Sequence, residues 1–368
     1  MTAKDSIGPA MAADPVAIRS VAVLRDGQSE SGAFVASPTF SQYGFCWLRD
    51  GSFCALALDR VGHRSNADAF HLWVALPVLS TGSRCESGAS ALGRGDPIDV
   101  TQMPPTRFHL DGTIEPKSGG GWPNFQLDGY GTWLAIVSQR PLEPDEALAA
   151  RVVAEYLRVG WQSPCFDCWE EGGERWHAST LMAVSGGLRG AAIALTDDSL
   201  RDVADEIVSV LRERFTFDGS FRKSADDDRV DASLLWAALP HAAFPLDDAA
   251  VVATTERIRR DLIAPTGGVH RYLGDSYYGG GEWLLLTAWL GWVDAASGQR
   301  AGWEHARDWI RGVAEARLDL PEQISTSSQQ PEMVGPWTDQ WGPSASPLLW
   351  SHAMYLLLMV EGWERGWR

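Results

Sequence analysis

The 368-residue sequence predicts an all-α fold, a closed barrel of helical hairpins. Apolar residues recur with helical spacing along most of the chain, while the alternation typical of strands is nearly absent. No segment repeats itself at a fixed period, which argues against a regular helical array and favours an irregular closed barrel.

Twelve helices are expected, each from apolar spacing, a capping residue or a following Gly or Pro. In chain order they cover residues 15–25, 50–61, 66–79, 125–139, 143–159, 175–195, 198–214, 231–239, 247–261, 281–296, 300–316 and 346–364. Most connections are short, but residues 80–124, 264–280 and 319–345 are long and rich in Gly, Pro and aromatics. Long connections in a compact domain usually carry function. We therefore expect one domain over residues 1–368, with its site on these loops.

The composition excludes several classes of protein. The chain has 48 acidic and 31 basic residues, a net charge of −17, which argues against binding to nucleic acid or to an anionic membrane surface. No apolar stretch approaches the roughly 20 residues that span a bilayer, and the first fifteen residues lack the pattern of a secretory signal. Five Cys fit a reducing compartment. We expect a soluble, cytoplasmic protein whose oligomeric state the sequence leaves open.

Two short patterns could suggest a metal. Cys165 and Cys168 form half of a zinc or redox motif, but no second such pair follows, which favours a structural role. The acidic run 226–228 precedes a predicted helix and is typical of a solvated turn. The sequence therefore indicates no metal site and no cofactor.

The segment 166–171, Phe-Asp-Cys-Trp-Glu-Glu, sets Trp169 among three carboxylates. A Trp face can stack on a sugar ring, and crowded carboxylates in a partly apolar site have divergent pKa values, so that one can serve as a general acid. The alternative is a helix N-terminus carrying acids that favour the helix dipole. This segment alone does not decide between them.

A second loop supplies a matching carboxylate. Leu320-Pro321-Glu322-Gln323 is a turn fixed by proline, and Trp337 and Trp341 follow it. Glycoside hydrolysis needs two carboxyl groups, one to protonate the leaving oxygen and one to activate water or to attack the sugar. The alternative, a Glu322 that is merely exposed, stays open at this point.

Several segments, in the same order along the chain, resemble motifs of glycoside hydrolase family 15, the glucoamylase family. They span nearly the whole sequence: 43–50 (W-x-R-D), 124–131 (N-x-Q-x-D-x-x-G), 167–171 (D-x-W-E-E), 268–283 (R-Y-x-x-D-x-Y-x-G-x-x-W), 320–323 (L-P-E-Q) and 347–353 (P-L-x-W-S-H-A). The resemblance implies an (α/α)6 barrel, in agreement with the twelve helices counted from periodicity. It also implies an inverting mechanism, with the two carboxyl groups about 6.5–9.5 Å apart.

The resemblance assigns roles position by position. Glu170 is implied as the general acid and Glu322 as the general base. Arg49 and Asp50 are implied to hold the hydroxyls of the terminal glucose, since an Arg fork and an adjacent carboxylate can bind neighbouring hydroxyls; a structural ion pair is the alternative. The remaining expected sugar contacts are Trp47, Trp122, Trp169, Glu171, Arg271, Tyr278 and Trp337.

The sequence departs from the starch-acting members of the family. Only about 40 residues precede the Arg-Asp motif and about 15 follow the last motif, so we expect neither an N-terminal β-sandwich nor a carbohydrate-binding module. The Gly-rich stretch 117–123 also differs from the usual bacterial pattern. These departures favour short α-glucosides such as isomaltose and isomaltooligosaccharides, with trehalose or α-1,4-glucans as alternatives, and an Arg-Asp clamp on the terminal ring favours exo-hydrolysis.

A different class of enzyme also stays open. Sugar epimerases share a barrel of this kind and use His bases, and candidates exist at His63, His71, His177, His270, His305 and His352. His352 lies in an apolar helix, which favours a hydrogen-bonded core residue over a catalyst. A sugar-binding barrel without activity is a third alternative.

Overall fold

The computed structural model describes residues 3–94, 103–115, 125–314 and 317–368. Fourteen α-helices lie in these ranges: α1 (Ala3–Ala12), α2 (Pro15–Asp26), α3 (Leu48–Arg60), α4 (Arg64–Ser80), α5 (Gly82–Gly93), α6 (Asp128–Val137), α7 (Pro144–Gly160), α8 (Ala178–Ala194), α9 (Asp198–Arg214), α10 (Ala249–Leu262), α11 (Leu284–Ala296), α12 (Arg300–Val313), α13 (Val334–Trp341) and α14 (Leu349–Glu364). Short strands pair as antiparallel two-residue ladders: β1 (Cys46–Trp47) with β2 (Arg107–Phe108), β3 (Thr216–Phe217) with β4 (Ser220–Phe221), and β5 (Glu282–Trp283) with β6 (Gln323–Ile324).

Within the described residues, six helical elements close into an inner ring. In order they are α3, α6, α8, the 3-10 helix Ala232–Ala237, α11 and α14, and α14 packs back against α3. An outer layer of α2, α4, α7, α9, α10 and α12 surrounds this ring, each helix packing on an inner element. These twelve elements are the twelve predicted segments, and the (α/α)6 barrel is confirmed.

The two layers follow from hydropathy. In α11 every residue from Leu284 to Ala295 is buried, as expected of a helix with neighbours on all sides. The outer α12 buries only Trp303, Ala306 and Ile310, which share one face. Inner helices are thus buried over most of their residues, and outer helices are amphipathic.

The structure corrects the predicted elements in two ways. Three further helices, α1, α5 and α13, lie outside the ring; they contain Gly, Ser or Pro in place of a clear apolar stripe, so periodicity missed them. Two of them occupy parts of the segments predicted as long loops. The predicted helix 231–239 is instead the short 3-10 helix Ala232–Ala237, because Pro240 prevents the chain from continuing as an α-helix.

None of the helices in the described ranges combines the length and apolar composition needed to cross a bilayer.

Candidate active site

A cavity of about 520 Å³ opens at the N-terminal ends of inner helices. The first turn of α3 contributes Arg49 and Asp50, and the first turn of α14 contributes Trp350. The connection between α7 and α8 contributes Glu170, and the connection between α12 and α13 contributes Glu322. Because helix N-termini carry partial positive charge, this end of the barrel favours anionic side chains.

The cavity brings together most of the residues that the sequence predicted for the site. Nine of them line it: Trp47, Arg49, Asp50, Trp169, Glu170, Glu171, Arg271, Glu322 and Trp337. Tyr278 lies behind the lining, with its ring stacked on Trp337 at 5.9 Å between centroids. Trp122, and the stretch 117–123 that contains it, lie outside the described residues.

Asp167 shapes the loop that carries Glu170. Its Oδ1 accepts hydrogen bonds from the backbone N–H groups of Trp169 and Glu171, each at 2.9 Å. Glu170, between them, has a φ of 67°, a left-handed conformation that is strained for a residue with a side chain. Trp47 Nε1 donates to Glu170 Oε1 at 2.9 Å. The turn and this indole therefore fix where the carboxyl group points.

A buried lysine ties this loop to its surroundings. Lys223 Nζ lies 2.9 Å from Asp231, 3.3 Å from Asp167 and 3.5 Å from Glu171. Asp231 also accepts from Trp169 Nε1 at 3.0 Å, which orients an aromatic wall of the cavity. One cation thus contacts three carboxylates, and two of them, Asp167 and Glu171, lie on either side of Glu170 in the chain.

Glu322 is held by hydroxyl groups. The Tyr43 hydroxyl donates to Glu322 Oε1 at 2.8 Å, and Ser344 Oγ donates to Oε2 at 3.4 Å. The Tyr43 hydroxyl has one proton and donates it to Glu322, so the Tyr277 hydroxyl, 2.9 Å away, donates to the Tyr43 oxygen. Since Tyr43 and Trp47 lie on the same chain segment, with ring centroids 5.7 Å apart, one segment contacts both carboxyl groups.

Both carboxyl groups have strongly perturbed acidity. Burial raises the pKa of Glu170 to about 7, and the charges of Arg49 and Arg107 oppose the rise. Burial likewise raises the pKa of Glu322 to about 7, opposed by the Tyr43 hydrogen bond and by the charge of Arg271. Near neutral pH, a pair of this kind can hold one proton, which general acid and base catalysis requires.

These pKa values predict a bell-shaped pH dependence of kcat/KM, with its maximum near pH 7. A general base at Glu322 must be ionised, so the rate should fall below about pH 7, and a general acid at Glu170 must be protonated, so the rate should fall above it. The measurement is kcat/KM on an uncharged glucoside from about pH 5 to about pH 9. A flat profile across this range would contradict the assignment.

Arg49 and Asp50 form an ion pair with each other, and both line the cavity. Arg49 Nη1 donates to Asp128 at 3.0 Å and to Gln126 at 3.2 Å, while its Nε lies 3.3 Å from Asp50. Within the described residues, Nη2 makes no hydrogen bond. Burial raises the pKa of Asp50 to about 6, and the charge of Arg49 opposes the rise. The ion pair fixes the two side chains and leaves donor capacity for a ligand.

Arg271 lies in an aromatic cage. Its Nε and Nη2 donate to the two oxygens of Asp275 at 2.7 and 2.5 Å, and Nη2 lies 3.4 Å from Glu171. Glu171 itself accepts from the Tyr272 hydroxyl at 2.6 Å. Four ring centroids lie 5.1–5.5 Å from the guanidinium carbon: Trp169, Tyr272, Tyr277 and Trp283. The cation and the rings give one face of the cavity a fixed shape.

The short helix α13 adds two aromatic residues to the mouth of the cavity. Trp337 rests on Tyr277, with centroids 5.0 Å apart, and the Tyr278 hydroxyl donates to the carbonyl of Gly342 at 2.9 Å. Trp341 also lines the cavity and is 41% exposed. Flat apolar faces at the entrance suit the stacking of sugar rings.

Sequence reasoning assigned no role to several residues of the site. Tyr43 stands four positions before Trp47, at the start of the first motif. The motif therefore indicated that Tyr43 lies near the site, but nothing in the sequence indicated its hydrogen bond to Glu322. Lys223 and Arg107 lie in segments without any motif. Arg107 pairs across β2 with Trp47 of β1 and stacks its guanidinium 4.4 Å from the Phe45 ring.

The two sequence patterns considered for a metal site are the acidic run 226–228 and the pair Cys165 and Cys168. Arg175, Arg229 and Arg222 form ion pairs with Asp226, Asp227 and Asp228, respectively. Cys165 and Cys168 are buried thiols, and burial raises the pKa of Cys165 to about 12, so it stays protonated. Among the described residues that line the cavity there is no His.

A closed (α/α)6 barrel whose aromatic pocket contains two carboxyl groups with raised pKa values defines a glycoside hydrolase. The model of glycosyl hydrolases family 15 matches residues 18–313. The chain belongs to this family.

Relatives extend the comparison. The isomaltose glucohydrolase of Kribbella flavida is 39% identical, over 94% of this chain and 92% of that protein. A trehalase of Mycolicibacterium smegmatis is 27% identical, over 71% of this chain and 44% of that protein. A glycosidase variant solved in complex with glucose superposes with a TM-score of 0.88, at 37% identity and 94% and 95% coverage. A bacterial glucoamylase complexed with acarbose shares the fold, with a TM-score of 0.73 at 18% identity over 95% of this chain and 55% of that one.

Proposed function

We propose that this glycoside hydrolase is an exo-acting, inverting α-glucosidase that releases β-glucose from the non-reducing end of short α-glucosides, with isomaltose and isomaltooligosaccharides as preferred substrates. The observation that carries the proposal is the pair of carboxyl groups, Glu170 and Glu322, in one pocket and each with a pKa of about 7. The similarity to an isomaltose glucohydrolase supports the choice of substrate.

The proposed reaction is a single displacement. Glu170 gives its proton to the glycosidic oxygen as the bond from that oxygen to the anomeric carbon breaks. Glu322 takes a proton from a water molecule whose oxygen attacks the anomeric carbon from the opposite face. The products are β-glucose and the shortened sugar, and the proton on Glu322 must return through solvent to Glu170 before the next turnover.

The pocket supports an exo mode of action. Arg49 and Asp50 lie at the ring of inner helices, where the barrel core closes the cavity, whereas Trp341 lies partly exposed at its mouth. A terminal glucose can therefore enter as far as the Arg-Asp pair, with its hydroxyls on that pair and the leaving sugar toward the entrance. Trehalase and α-1,4-glucoamylase activity are the alternatives, and relatives named trehalase favour the first of these.

The proposal is tested by incubating the purified protein with isomaltose, maltose, trehalose and panose. We expect the highest kcat/KM on isomaltose, because that is the substrate in the name of a relative that is 39% identical over nearly all of this chain. Proton NMR in the first minutes should record β-glucose before mutarotation sets in. Initial release of α-glucose would contradict inversion, and exclusive activity on trehalose would replace the proposed substrate.

We also propose a cytoplasmic location, with a small oligosaccharide as the binding partner and no role in nucleic-acid or membrane binding. Five buried thiols, none of them joined to another, support a reducing compartment. The net charge of −17 supports the absence of polyanionic partners.

A further inference from the structure

In the loop that carries Glu322, each residue from Asp319 to Glu322 is held by a hydrogen bond from elsewhere in the chain. Leu348 N donates to the carbonyl of Leu320 at 2.9 Å, and Glu322 N donates to the carbonyl of Ala345 at the same distance. Just upstream, Arg19 of α2 donates to Asp319 at 2.8 Å. The backbone of this loop is therefore fixed by its neighbours, although it has no regular structure of its own before β6.

Two further contacts come from polar side chains in the first turn of α14. Ser351 Oγ donates to the carbonyl of Pro321 at 2.8 Å. His352 Nε2 accepts from the backbone N–H of Leu320 at 3.0 Å, and its Nδ1 lies 2.8 Å from Ser20 Oγ on α2. The motif P-L-x-W-S-H-A thus contacts the motif L-P-E-Q directly, at the two residues that precede Glu322.

The burial and the hydrogen bonds of His352 fix its protonation state and its tautomer. His352 is 0% exposed, and burial lowers its pKa to about 3, so the ring is neutral. A neutral imidazole has one donor and one acceptor nitrogen. Because Nε2 accepts from Leu320, the proton is on Nδ1 and is donated to Ser20.

A Ser and a His at these positions need a physical reason, since most of the residues around them in α14 are apolar. From Leu349 to Val360 every residue of α14 is buried, and an apolar side chain at either position would avoid the cost of burying a polar group. Ser351 donates to the loop backbone next to Glu322, and His352 accepts from it while its other ring nitrogen donates to Ser20. Neither lines the cavity, so neither touches the substrate.

We propose that Ser351 and His352 are positioning residues for Glu322, which hold the carboxyl group at the distance from the anomeric carbon that one water molecule can bridge. The inference rests on the proposed role of Glu322 as general base. Displacement of a catalytic group by about 1 Å can lower the rate by about 100-fold without changing how the substrate is bound. The expected signature is therefore a change in kcat with little change in KM.

The test compares His352→Gln with His352→Asn. A Gln side chain can place its amide oxygen near the position of Nε2 and still accept from Leu320, whereas Asn reaches only to the position of Nδ1 and its contact with Ser20. We expect the Gln variant to keep kcat on isomaltose within about threefold of wild type. We expect the Asn variant to lose kcat by about tenfold or more, with KM within about twofold. Equal kcat values in the two variants would overturn the proposal, as would a loss confined to KM.

A smaller deletion keeps the proposal testable if His352→Asn does not fold. Ser351→Ala removes one oxygen and should lower kcat severalfold. Its matched control is Ser185→Ala, which also removes a buried hydroxyl group. Ser185 on α8 donates to the carbonyl of Ala204 on α9. The control should keep kcat. Unchanged kcat in Ser351→Ala, or equal losses in both variants, would overturn the proposal. Full activity of Glu322→Gln would instead overturn the proposed function itself, so the two failures are distinct.

Discussion

Replacing either Glu170 or Glu322 by Gln is expected to lower kcat by about 10²- to 10⁴-fold, because each variant removes one of the two proton transfers on which the proposed reaction depends. Gln keeps the shape and the acceptor oxygen, so the Trp47 and Tyr43 hydrogen bonds can persist. The measurement is initial glucose release at saturating isomaltose. Full glucose release by either variant would contradict the paired roles, and release by both would favour a barrel that uses other groups.

In the same two variants, the free energy of unfolding is expected to rise while kcat falls. The pKa of each carboxyl rises from 4.5 to about 7 on folding, so the folded protein retains protons that the unfolded chain has lost in this window. The free energy of unfolding therefore falls as the pH rises from about 4.5 to about 7, and the deficit persists above it. A neutral Gln removes the deficit, so each variant should be more stable than wild type at pH 8, by on the order of 1–3 kcal/mol.

A remote glutamate provides the matched control. Glu146 is buried at the start of α7, where it accepts from Arg140 at 2.5 Å and from the backbone of Glu143. Glu146→Gln should lower the free energy of unfolding, because it weakens a buried ion pair, and should leave kcat unchanged. The catalytic and the structural glutamates are thus expected to differ in the sign of the stability change, and only the catalytic ones should lose kcat. A Glu146→Gln variant with the same loss of kcat as Glu322→Gln would contradict this distinction.

The sequence predicted the architecture well because helical periodicity is a local signal. Most inner helices are rich in apolar residues and the outer helices have one apolar face, so both kinds can be recognised without knowing their neighbours. The exception is the fourth inner element, where Pro240 limits a helical pattern to one short 3-10 helix. The ring tolerates this because Ala232–Ala237 still packs between α8 and α11.

The candidate site was predicted in part, because motifs identify residue types and not their partners. Glu170 and Glu322 stand in recognisable segments, and the structure brings both to one cavity. Lys223 is an isolated lysine far from either segment, and only the folded chain brings it to Asp167. Tyr278 belongs to a motif, yet its side chain supports Trp337 from behind, which spacing alone cannot reveal.

Lys223→Met is expected to lower the free energy of unfolding by about 3–5 kcal/mol, the largest loss of stability that a single substitution near the site should cause. Burial lowers the pKa of Lys223, but the charges of Asp231, Asp167 and Glu171 more than offset this and hold the pKa above its usual value. Removing the cation leaves these carboxylates close together without their shared countercharge, and breaking a buried ion pair from one side costs far more than the pair contributes. Denaturant unfolding at neutral pH measures the loss.

The control is a surface ion pair, and the stability of a double variant adds a second test. Arg60 on α3 lies 2.8 Å from Glu364, with about a third of each side chain exposed, so Arg60→Met should cost no more than about 1 kcal/mol. If Lys223 organises the loop of Glu170, the double variant Lys223→Met with Asp231→Asn should recover part of the lost stability, because one uncompensated charge is gone. A loss below about 1 kcal/mol in Lys223→Met would mean that the three carboxylates do not depend on this lysine. The geometry argues otherwise, because the same cation contacts Asp167 and Glu171 on either side of the strained residue that is proposed to donate the proton.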